Sequence, residues 1–379
     1  MSAKRGDKPK IIDFCCGAGG FTLASWQAGF ECVAGFDSDR VLTSRFTENF
    51  PKTLLVKCDL RSARVSDILR SAGLKKASQV DGIIGGPPCQ GFSSIGKRQL
   101  DDPRNVLIHH FFRLVKNVAP RFFVMENVPG LLNQRFSDQL KRELSLLPKQ
   151  YSLLGPLLLN SADFGAATRR QRILIIGIDS RYVGPLTRPD LASRYAGLKP
   201  TVRHAIHDLP EPLAAGPENA DGWAGYSGEP PRGPQGSYAR EARSAPPVHL
   251  GSRLSREFLS KGLISGFQGT RHALGTVRRF NSVPEGGTDE ISRFPRLQWD
   301  EQCPTLRAGT GPENGSYQSV RPIHPASDRV ITIREAARLQ GFPDWFQFHP
   351  TKWHSFRMIG NSVNPQMASG VLAAIRART

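Results

Sequence analysis

The sequence predicts an α/β fold in which a parallel sheet with crossover helices is joined to a smaller, loop-rich second domain. Between residue 10 and about residue 180, short apolar runs alternate with segments that carry apolar residues at helical spacing. From about 185 to 330, the chain is dense in Gly, Pro, Arg and Ser, a composition that interrupts regular helices and central strands. A length of 379 residues fits about two domains.

The regular elements of the first domain are predicted from these two periodicities. Its strands are expected at residues 11–15, 31–36, 53–56, 80–84, 121–125 and 173–178. Its crossover helices are expected at 21–28, 41–49, 65–71, 106–118 and 137–147. Helical patterns return at 332–340 and 365–378, the second with proline at its first position. We therefore expect a first domain at 1–185, a second at 186–329, and a C-terminal segment at 330–379 that returns to the first.

Basic residues outnumber acidic ones, with 51 Lys plus Arg against 33 Asp plus Glu and a net charge of +18. A surplus of this size favours a polyanionic partner such as nucleic acid, although a basic surface can also serve solubility or bind an acidic protein. No apolar run approaches the roughly 18 residues that span a bilayer, so no membrane partner is expected. A polar, basic start without the apolar core of a signal peptide predicts a cytoplasmic protein.

The six cysteines are scattered along the chain, without a C-x2-C pair or a neighbouring pair of histidine ligands. This spacing argues against a structural zinc site and against a disulfide framework. No metal site is predicted, and a cysteine with a special role is expected to be a nucleophile.

The segment Asp-Phe-Cys-Cys-Gly-Ala-Gly-Gly at 13–20 follows the first strand and opens a helix, where an open α/β sheet holds an adenosine-containing ligand. It is not G-x-G-x-x-G and lacks Gly-Lys-Ser/Thr, which weakens dinucleotide and triphosphate interpretations. Asp37 ends the second strand and can bind a ribose diol, while Asp59 follows the third and can receive an adenine amino group. Each feature alone also fits a tight turn or a surface acid. Their order along three strand ends favours a cofactor site.

A cysteine loop, Gly-Gly-Pro-Pro-Cys-Gln-Gly at 85–91, follows the fourth strand. Its two prolines favour a presented Cys89 thiol over a buried structural cysteine. The next strand ends at Glu126, which would set a carboxylic acid beside Cys89 if the two strands are neighbours. A thiol and an acid suit addition to an electron-poor ring, in which sulfur attacks while the acid binds or protonates a ring nitrogen. Arg-Arg-Gln-Arg at 169–172 can aim a guanidinium into the same cleft, or form a solvated or phosphate-binding surface.

In their order along the chain, these motifs resemble those of the DNA (cytosine-5)-methyltransferases of bacterial type. Gly-Pro-Pro-Cys-Gln at 86–90, Glu-Asn-Val at 126–128 and the arginines at 169–172 resemble the family's catalytic motifs. Residues 13–20 resemble its S-adenosylmethionine loop, Gly-Asn-Ser-Val at 360–363 its final cofactor motif, and 334–344 its packing motif. The resemblance implies an S-adenosylmethionine-dependent methyltransferase (Rossmann-like) α/β fold with a smaller, loop-rich target recognition domain at 186–329.

The resemblance also implies the reaction: methyl transfer from S-adenosyl-L-methionine to carbon 5 of a flipped cytosine within a specific DNA sequence. Cys89 would add to carbon 6, Glu126 would hold the ring nitrogen and amino group, and Arg172 would contact the carbonyl oxygen, with Arg170 in the same catalytic group. The implied cofactor-binding residues are Asp13, Cys15, Gly17, Gly19, Gly20, Asp37, Asp59, Leu60, Pro87, Asn361, Ser362 and Val363. The implied substrate-binding residues are Gln90, Arg104, Asn127 and Thr305.

The second domain is expected to read base edges in the major groove of double-stranded DNA. Residues 303–309 resemble the Thr-Leu element of that domain in the family. Arg271, Arg278 and Arg279 are candidate DNA contacts by composition, and solvated arginines explain them equally well. The expected assembly is a monomer, with a cognate restriction endonuclease as a partner in the same system.

Two residues depart from the family pattern. Cys15 stands where an aromatic residue is common, and Ser38 where a bulky one often follows the ribose acid, so the adenine pocket is expected to be looser or to be closed by another side chain. Two other functions remain open at this point. One is an RNA cytosine-5 methyltransferase, and the other is a non-catalytic DNA-binding protein, against which the intact Cys89, Glu126 and Arg172 speak.

Overall fold

The computed structural model describes residues 8–88, 106–195, 197–214, 221–309 and 321–379. In chain order, its strands are β1 Lys10–Phe14, β2 Glu31–Asp37, β3 Leu54–Lys57, β4 Gly82–Gly85, β5 Phe122–Asn127, β6 Tyr151–Asn160, β7 Thr168–Arg169, β8 Gln171–Asp179, β9 Ala224–Gly225, β10 Leu263–Ile264 and β11 Cys303–Pro304. One seven-stranded sheet has the order β3-β2-β1-β4-β5-β8-β6. The remaining strands form two small pairs, β9 with β10 and β7 with β11.

The α-helices connect and cover these strands. In chain order they are α1 Gly20–Gln27, α2 Phe46–Asn49, α3 Val65–Ser71, α4 Val106–Val118, α5 Gln134–Ser145, α6 Arg188–Leu191, α7 Val202–Ile206, α8 Ser237–Ala242, α9 Arg253–Ser260, α10 Leu274–Asn281, α11 Ile333–Gln340, α12 Lys352–Asn361 and α13 Pro365–Arg376. The helix predicted at 106–118 is confirmed residue for residue, and most other predicted elements agree within a few positions.

The sheet separates two apolar layers because successive side chains of a strand point to opposite faces. In β1, Ile11 packs into the layer formed with α1 and α13, whereas Ile12 packs into the layer formed with α3 and α4. In β5, Phe122 and Phe123 alternate between the two layers in the same way. Helices on both faces make this an α/β sandwich of three layers, as the sequence predicts.

The prediction of a wholly parallel sheet is wrong for its last part. Strands β1 to β5 run parallel to one another, but β8 runs antiparallel to both β5 and β6. Only residues 161–170 join β6 to β8, which is too short a connection for a helical crossover between parallel strands. The chain therefore turns back, and β8 inserts between β5 and β6.

Strand β6 and helices α12 and α2 are among the elements that differ from the prediction. Strand β6 was not predicted, because Gly155 and Pro156 interrupt its apolar run, yet a proline is tolerated since β6 is the edge of the sheet. Helix α12 was also not predicted. The helix expected at 41–49 shortens to α2, since the Asp39 carboxylate accepts hydrogen bonds from the backbone of Val41 and Leu42 and forms a turn instead.

The second predicted domain is poor in regular structure, as its composition indicates. The described parts of 186–329 contain short helices and the two-residue strands β9, β10 and β11. Helix α11 follows and is buried along all eight of its residues, so the C-terminal segment returns into the molecular interior. The division at 186 and 330 stays a prediction. In the part of the chain that the structure describes, no helix is long and apolar enough to cross a membrane.

Candidate active site

The carboxyl ends of the parallel strands meet at one edge of the sheet, where the predicted cofactor and catalytic motifs come together. A side chain on Gly20 would lie 2.3 Å from the carbonyl oxygen of Val363 and 2.9 Å from the hydroxyl of Ser362. Gly86 in turn lies close to Val363, since a Cβ on it would be 3.6 Å from a Val363 methyl. Motifs more than 300 residues apart in sequence thus line one cleft.

The glycine turn after β1 is held by a carboxylate from β2. Gly17 has a left-handed φ of +50°, and its backbone amide donates a hydrogen bond of 2.8 Å to Asp37 Oδ2. The other oxygen of Asp37 accepts a hydrogen bond of 2.8 Å from the backbone amide of Asp39. A Cβ on Gly17 would meet nothing within 4 Å, so open space lies above this turn.

Asp13 is a buried carboxylic acid directly under the same turn. Its Oδ2 accepts a hydrogen bond of 2.7 Å from the hydroxyl of Thr22 in α1, while its Oδ1 is buried without a hydrogen-bond partner. Burial, together with the nearby charge of Asp37, raises the pKa of Asp13 to about 8. The acid is therefore protonated at neutral pH. Sequence reasoning missed Thr22, for which a hydroxyl on the buried face of α1 was the only signal.

The other predicted cofactor residues lie around this cleft with different environments. Asp59 is exposed and forms an ion pair with Arg61 at 2.5 Å, which lowers the pKa of the carboxyl, while the adjoining Leu60 is buried. Cys15 has a left-handed φ of +57°, and burial together with Asp37 raises the pKa of its thiol. The final motif contributes Asn361, which is exposed, and Ser362, whose buried hydroxyl has no hydrogen-bond partner.

The predicted catalytic acid, Glu126, lies on β5, next to the strand that leads into the cysteine loop. Strands β4 and β5 are parallel neighbours, as the pairing of Cys89 with Glu126 requires. Glu126 Oε2 would be 3.6 Å from a Cβ on Gly86, and Glu126 Oε1 lies 2.9 Å from Arg172 Nε. Cys89 itself, together with Gln90 and Arg104, lies outside the described residues.

Asn127 supports the loop that carries the cysteine. Its side-chain amide donates a hydrogen bond of 3.1 Å to the carbonyl oxygen of Pro87, two residues before Cys89. Its side-chain oxygen accepts a hydrogen bond of 2.8 Å from the backbone of Val128. The structure therefore places Asn127 as a positioning residue for this loop, and contact with substrate stays a prediction.

The two arginines predicted for the catalytic group point in different directions. Arg172 faces Glu126, and its Nη1 donates to the carbonyl oxygen of Gln171 at 2.7 Å. Arg170 is fully buried and donates to the carbonyl oxygens of Leu306, Gly360 and Ser362 at 3.1, 2.8 and 3.0 Å. Arg170 thus ties the Thr-Leu element to the final cofactor motif, and it does not face the Glu126 side of the cleft as expected.

The Thr-Leu element is anchored to the same region. Strand β11 pairs in parallel with β7, and the hydroxyl of Thr305 donates a hydrogen bond of 2.8 Å to the carbonyl oxygen of Arg169. Of the three candidate DNA contacts, Arg271 and Arg278 are exposed. Arg279 instead forms an ion pair with the buried Asp289 at 2.6 Å, so this arginine is committed to the protein.

No group of three or more His, Cys, Asp or Glu side chains that could hold a metal ion occurs within the described ranges.

Comparison with known proteins places this arrangement in a family. The family model for C-5 cytosine-specific DNA methylases matches residues 9–377. The type II methyltransferase M.XorII of Xanthomonas oryzae pv. oryzae is 39% identical over 369 residues, covering 96% of this chain and 84% of that protein. The type II methyltransferase M.DdeI of Desulfomicrobium norvegicum is 31% identical, covering 96% and 88%.

Solved structures agree with this result. A structure described as a candidate DNA modification methyltransferase encoded within an E. coli prophage is 36% identical, with a TM-score of 0.84 and coverage of 97% of this chain and 99% of that one. The Dnmt2 methyltransferase of S. pombe shares the fold at 17% identity and a TM-score of 0.62, covering 97% and 98%. The chain that carries this cleft belongs to the C-5 cytosine-specific DNA methylases and is a DNA (cytosine-5)-methyltransferase.

Proposed function

We propose that this enzyme transfers a methyl group from S-adenosyl-L-methionine to carbon 5 of a flipped cytosine within a specific sequence of double-stranded DNA, through a covalent adduct with Cys89. The observation that carries the proposal is the Glu126–Arg172 pair, which lies against Gly86 on the chain that runs into Cys89. An acid and a guanidinium side by side match the ring nitrogen, amino group and carbonyl oxygen along one edge of cytosine.

The residues of the glycine turn fit the proposed cofactor. Two buried polar atoms at the cleft, Asp13 Oδ1 and Ser362 Oγ, have no hydrogen-bond partner, and the space above Gly17 is open. Buried polar atoms are rarely left unpaired in proteins, which favours a polar ligand here. When bound, S-adenosylmethionine supplies an electrophilic methyl group. Asp37 and Asp59 are proposed to contact its adenosine moiety, and the small Cys15 and Ser38 leave room beside it.

The chain's own residues perform the remaining steps. The Cys89 thiolate forms a bond to carbon 6 of the base, while Glu126 holds the proton at the ring nitrogen and so places electron density on carbon 5. Carbon 5 takes the methyl group as its bond to the cofactor sulfur breaks, and that electron pair leaves with S-adenosylhomocysteine. A base then removes the carbon-5 proton, and the electron pair of that C–H bond expels the Cys89 sulfur. Because this chemistry needs both faces of the ring, the target nucleotide must leave the base stack.

The rest of the molecule is proposed to bind and read DNA. The net charge of +18 suits contacts to phosphates, and the loop-rich region at 186–329 is proposed as the target recognition domain. The relatives are named type II methyltransferases, which supports a restriction-modification system with a cognate endonuclease. A monomer in the cytoplasm is proposed, because one enzyme acting on one flipped base requires no symmetry.

Bisulfite sequencing tests the reaction directly. Plasmid DNA of random sequence is incubated with the purified enzyme and S-adenosylmethionine, and protected cytosines within one short motif are the expected result. Trapping on duplex DNA that carries 5-fluorocytosine tests the adduct, since fluorine blocks the final loss from carbon 5. Wild type should form a covalent complex and Cys89→Ala should not. Labelled methyl transfer to RNA but not to DNA would contradict the proposal.

A further inference from the structure

Three basic side chains lie around the first turn of α12. The guanidinium of Arg321 lies over the ring of Phe356, 5.0 Å from its centroid. Lys352, the first residue of α12, donates from its ammonium group to the carbonyl oxygen of Gly269. His272 accepts a hydrogen bond of 3.3 Å at Nε2 from the backbone amide of Val330. We call these three residues the α12 cation cluster.

The cluster has no counterion in the described part of the chain. Burial lowers the pKa of all three groups. The charge of Arg321 lowers the pKa of Lys352 further, and the charges of Lys352 and Arg321 lower the pKa of His272 further. No described carboxylate forms an ion pair with Arg321 or Lys352. Other partly buried arginines are paired, for example Arg243 with Asp208 at 2.6 Å and Arg329 with Glu335 at 2.9 Å.

An uncompensated pair of partly buried cations is unfavourable in the isolated protein, because both groups lose water and repel each other. Binding of an anion would remove both costs. The N-terminus of α12 also favours an anion, because its backbone N–H groups carry partial positive charge. The first turn holds no acidic residue, and the N-cap Thr351 makes no side-chain capping bond. No described carboxylate supplies this negative charge, so the cluster favours the binding of an anion.

The position of the cluster relates it to the reaction. Helix α12 has ten residues and ends at Asn361 in the final cofactor motif, so at 1.5 Å per residue Lys352 lies about 14 Å from that motif. Along one DNA strand, successive phosphates are roughly 3.4 Å apart measured on the helix axis. The distance of about 14 Å equals about four such steps, so a duplex bound at the sheet edge is long enough to reach the cluster.

We propose that the α12 cation cluster is a phosphate anchor that binds a backbone phosphodiester of the DNA substrate near the target cytosine. The anchor fixes the register of the duplex on the enzyme and carries no base specificity of its own. This inference rests on the proposed function, because it takes double-stranded DNA as the substrate.

The test measures duplex binding as a function of salt for wild type and for the double variant Arg321→Gln/Lys352→Gln. The slope of log affinity against log salt should become less steep by about 1, because both removed charges contact the same phosphate. The loss of affinity should be equal for DNA with and without the target motif. The matched control is Lys116→Gln/Lys149→Gln, two exposed lysines on other parts of the surface, which should leave the slope unchanged.

A thermal melt of the free proteins separates an anchor from a structural role. The double variant should melt at the same temperature as wild type or higher, because it loses an unpaired, mutually repelling pair of cations. A large drop in melting temperature together with an unchanged salt slope would overturn the inference. A second result would also overturn the inference: inorganic phosphate stabilises wild type but not the double variant, while both proteins bind DNA equally well.

Failure of the proposed function gives a different result. Wild-type protein would then show no salt-dependent binding to duplex DNA at all. A wild type that binds duplex DNA, with a salt slope equal to that of the double variant, would contradict the phosphate anchor alone.

Discussion

Two arginine–carboxylate regions of this enzyme differ in how completely their hydrogen bonds are satisfied. Arg338 on α11 is fully buried and donates to both oxygens of Asp344, at 2.6 and 2.7 Å, as well as to Asp208 and the carbonyl oxygen of Ala205. Arg172 approaches Glu126 through one nitrogen at 2.9 Å, and both side chains keep about a tenth of their surface exposed. The saturated network fixes structure, whereas the unsaturated pair at the strand ends can still bind a ligand.

The same contrast separates the interior from the cofactor cleft. Tyr226 completes the Arg338 network by donating to Asp344 at 2.7 Å, while the cleft leaves Asp13 Oδ1 and Ser362 Oγ buried and unpartnered. Unpaired buried groups cost stability in the isolated protein. The difference indicates where the molecule gives up stability for function.

Removal of the catalytic acid should have the largest effect. Glu126→Gln keeps the size of the side chain but removes the proton that the ring nitrogen needs, so kcat/KM for methyl transfer should fall by about 10²- to 10⁴-fold. The free energy of unfolding in urea should change much less than activity, because glutamine keeps the size of the side chain and an oxygen that can accept a hydrogen bond from Arg172. The exposed Glu257→Gln serves as the control and should keep full activity. A large loss of stability in Glu126→Gln, sufficient to explain its loss of activity, would contradict the contrast between a structural Arg338 network and a functional Glu126–Arg172 pair.

Disruption of the Arg338 network should have the second-largest effect, and this effect is on stability. Arg338→Met removes the buried guanidinium that binds both Asp208 and Asp344 and leaves them Arg243 and Tyr226 as hydrogen-bond partners, so the free energy of unfolding should drop by about 3–5 kcal/mol. The control Arg203→Met removes an exposed pair with Asp300 and should cost less than about 1 kcal/mol. Both values come from urea denaturation. Equal losses in the two variants would show that burial of the network is not what stabilises it.

Asp13 should make stability depend on pH. The unfolded carboxyl ionises near its ordinary value of 3.8, whereas the folded one keeps its proton to about pH 8. Folding therefore opposes ionisation, and wild-type stability should fall as pH rises from about 4 to about 8, by roughly 1 kcal/mol per pH unit at the steepest. Asp13→Asn removes this dependence, so its stability relative to wild type should grow over that range. The exposed Asp67→Asn is the control, and a pH-independent difference for Asp13→Asn would contradict the burial of a neutral acid.

A pair of glycines gives the smallest and most selective test. Gly17 and Gly29 both have left-handed φ angles, of +50° and +87°, and a Cβ on either meets nothing within 4 Å. Alanine at either position should cost about 1–2 kcal/mol of stability through backbone strain. Only Gly17→Ala should also weaken cofactor binding, by about tenfold in titration calorimetry, because its methyl group enters the cleft. Equal cofactor affinity in both variants would place the cofactor elsewhere.

Much of the fold could be predicted because its determinants are local. The buried apolar runs predict the strands, and the helical spacing of apolar residues predicts α4. The glycines at 13–20 predict the edge of the sheet where the proposed cofactor binds. Strand β6 could not, since its tolerance of Pro156 depends on lying at the edge of the finished sheet. The antiparallel direction of β8 could not be predicted either, because it depends on the short connection at 161–170, and the strand before that connection, β6, was not predicted.

The sequence predicts which residues line the site better than it predicts where their side chains point. Glu126 and Arg172 lie together as expected, because a parallel β4–β5 pair brings their motifs to one edge. Arg170 differs by only two positions from Arg172, yet it is buried against the carbonyl oxygens of residues 306, 360 and 362. That orientation depends on contacts 136 to 192 positions away, which no local pattern contains.

The cleft has a consequence for how the enzyme is made on the ribosome. Its glycine turn is synthesised more than 340 residues before Ser362 and Val363, which close against it. A nascent or prematurely terminated chain can already contain Cys89 and Glu126 and still lack one wall of the cofactor cleft. We therefore expect cofactor binding to require the segment that carries Ser362 and Val363, even in a chain that already holds Cys89 and Glu126.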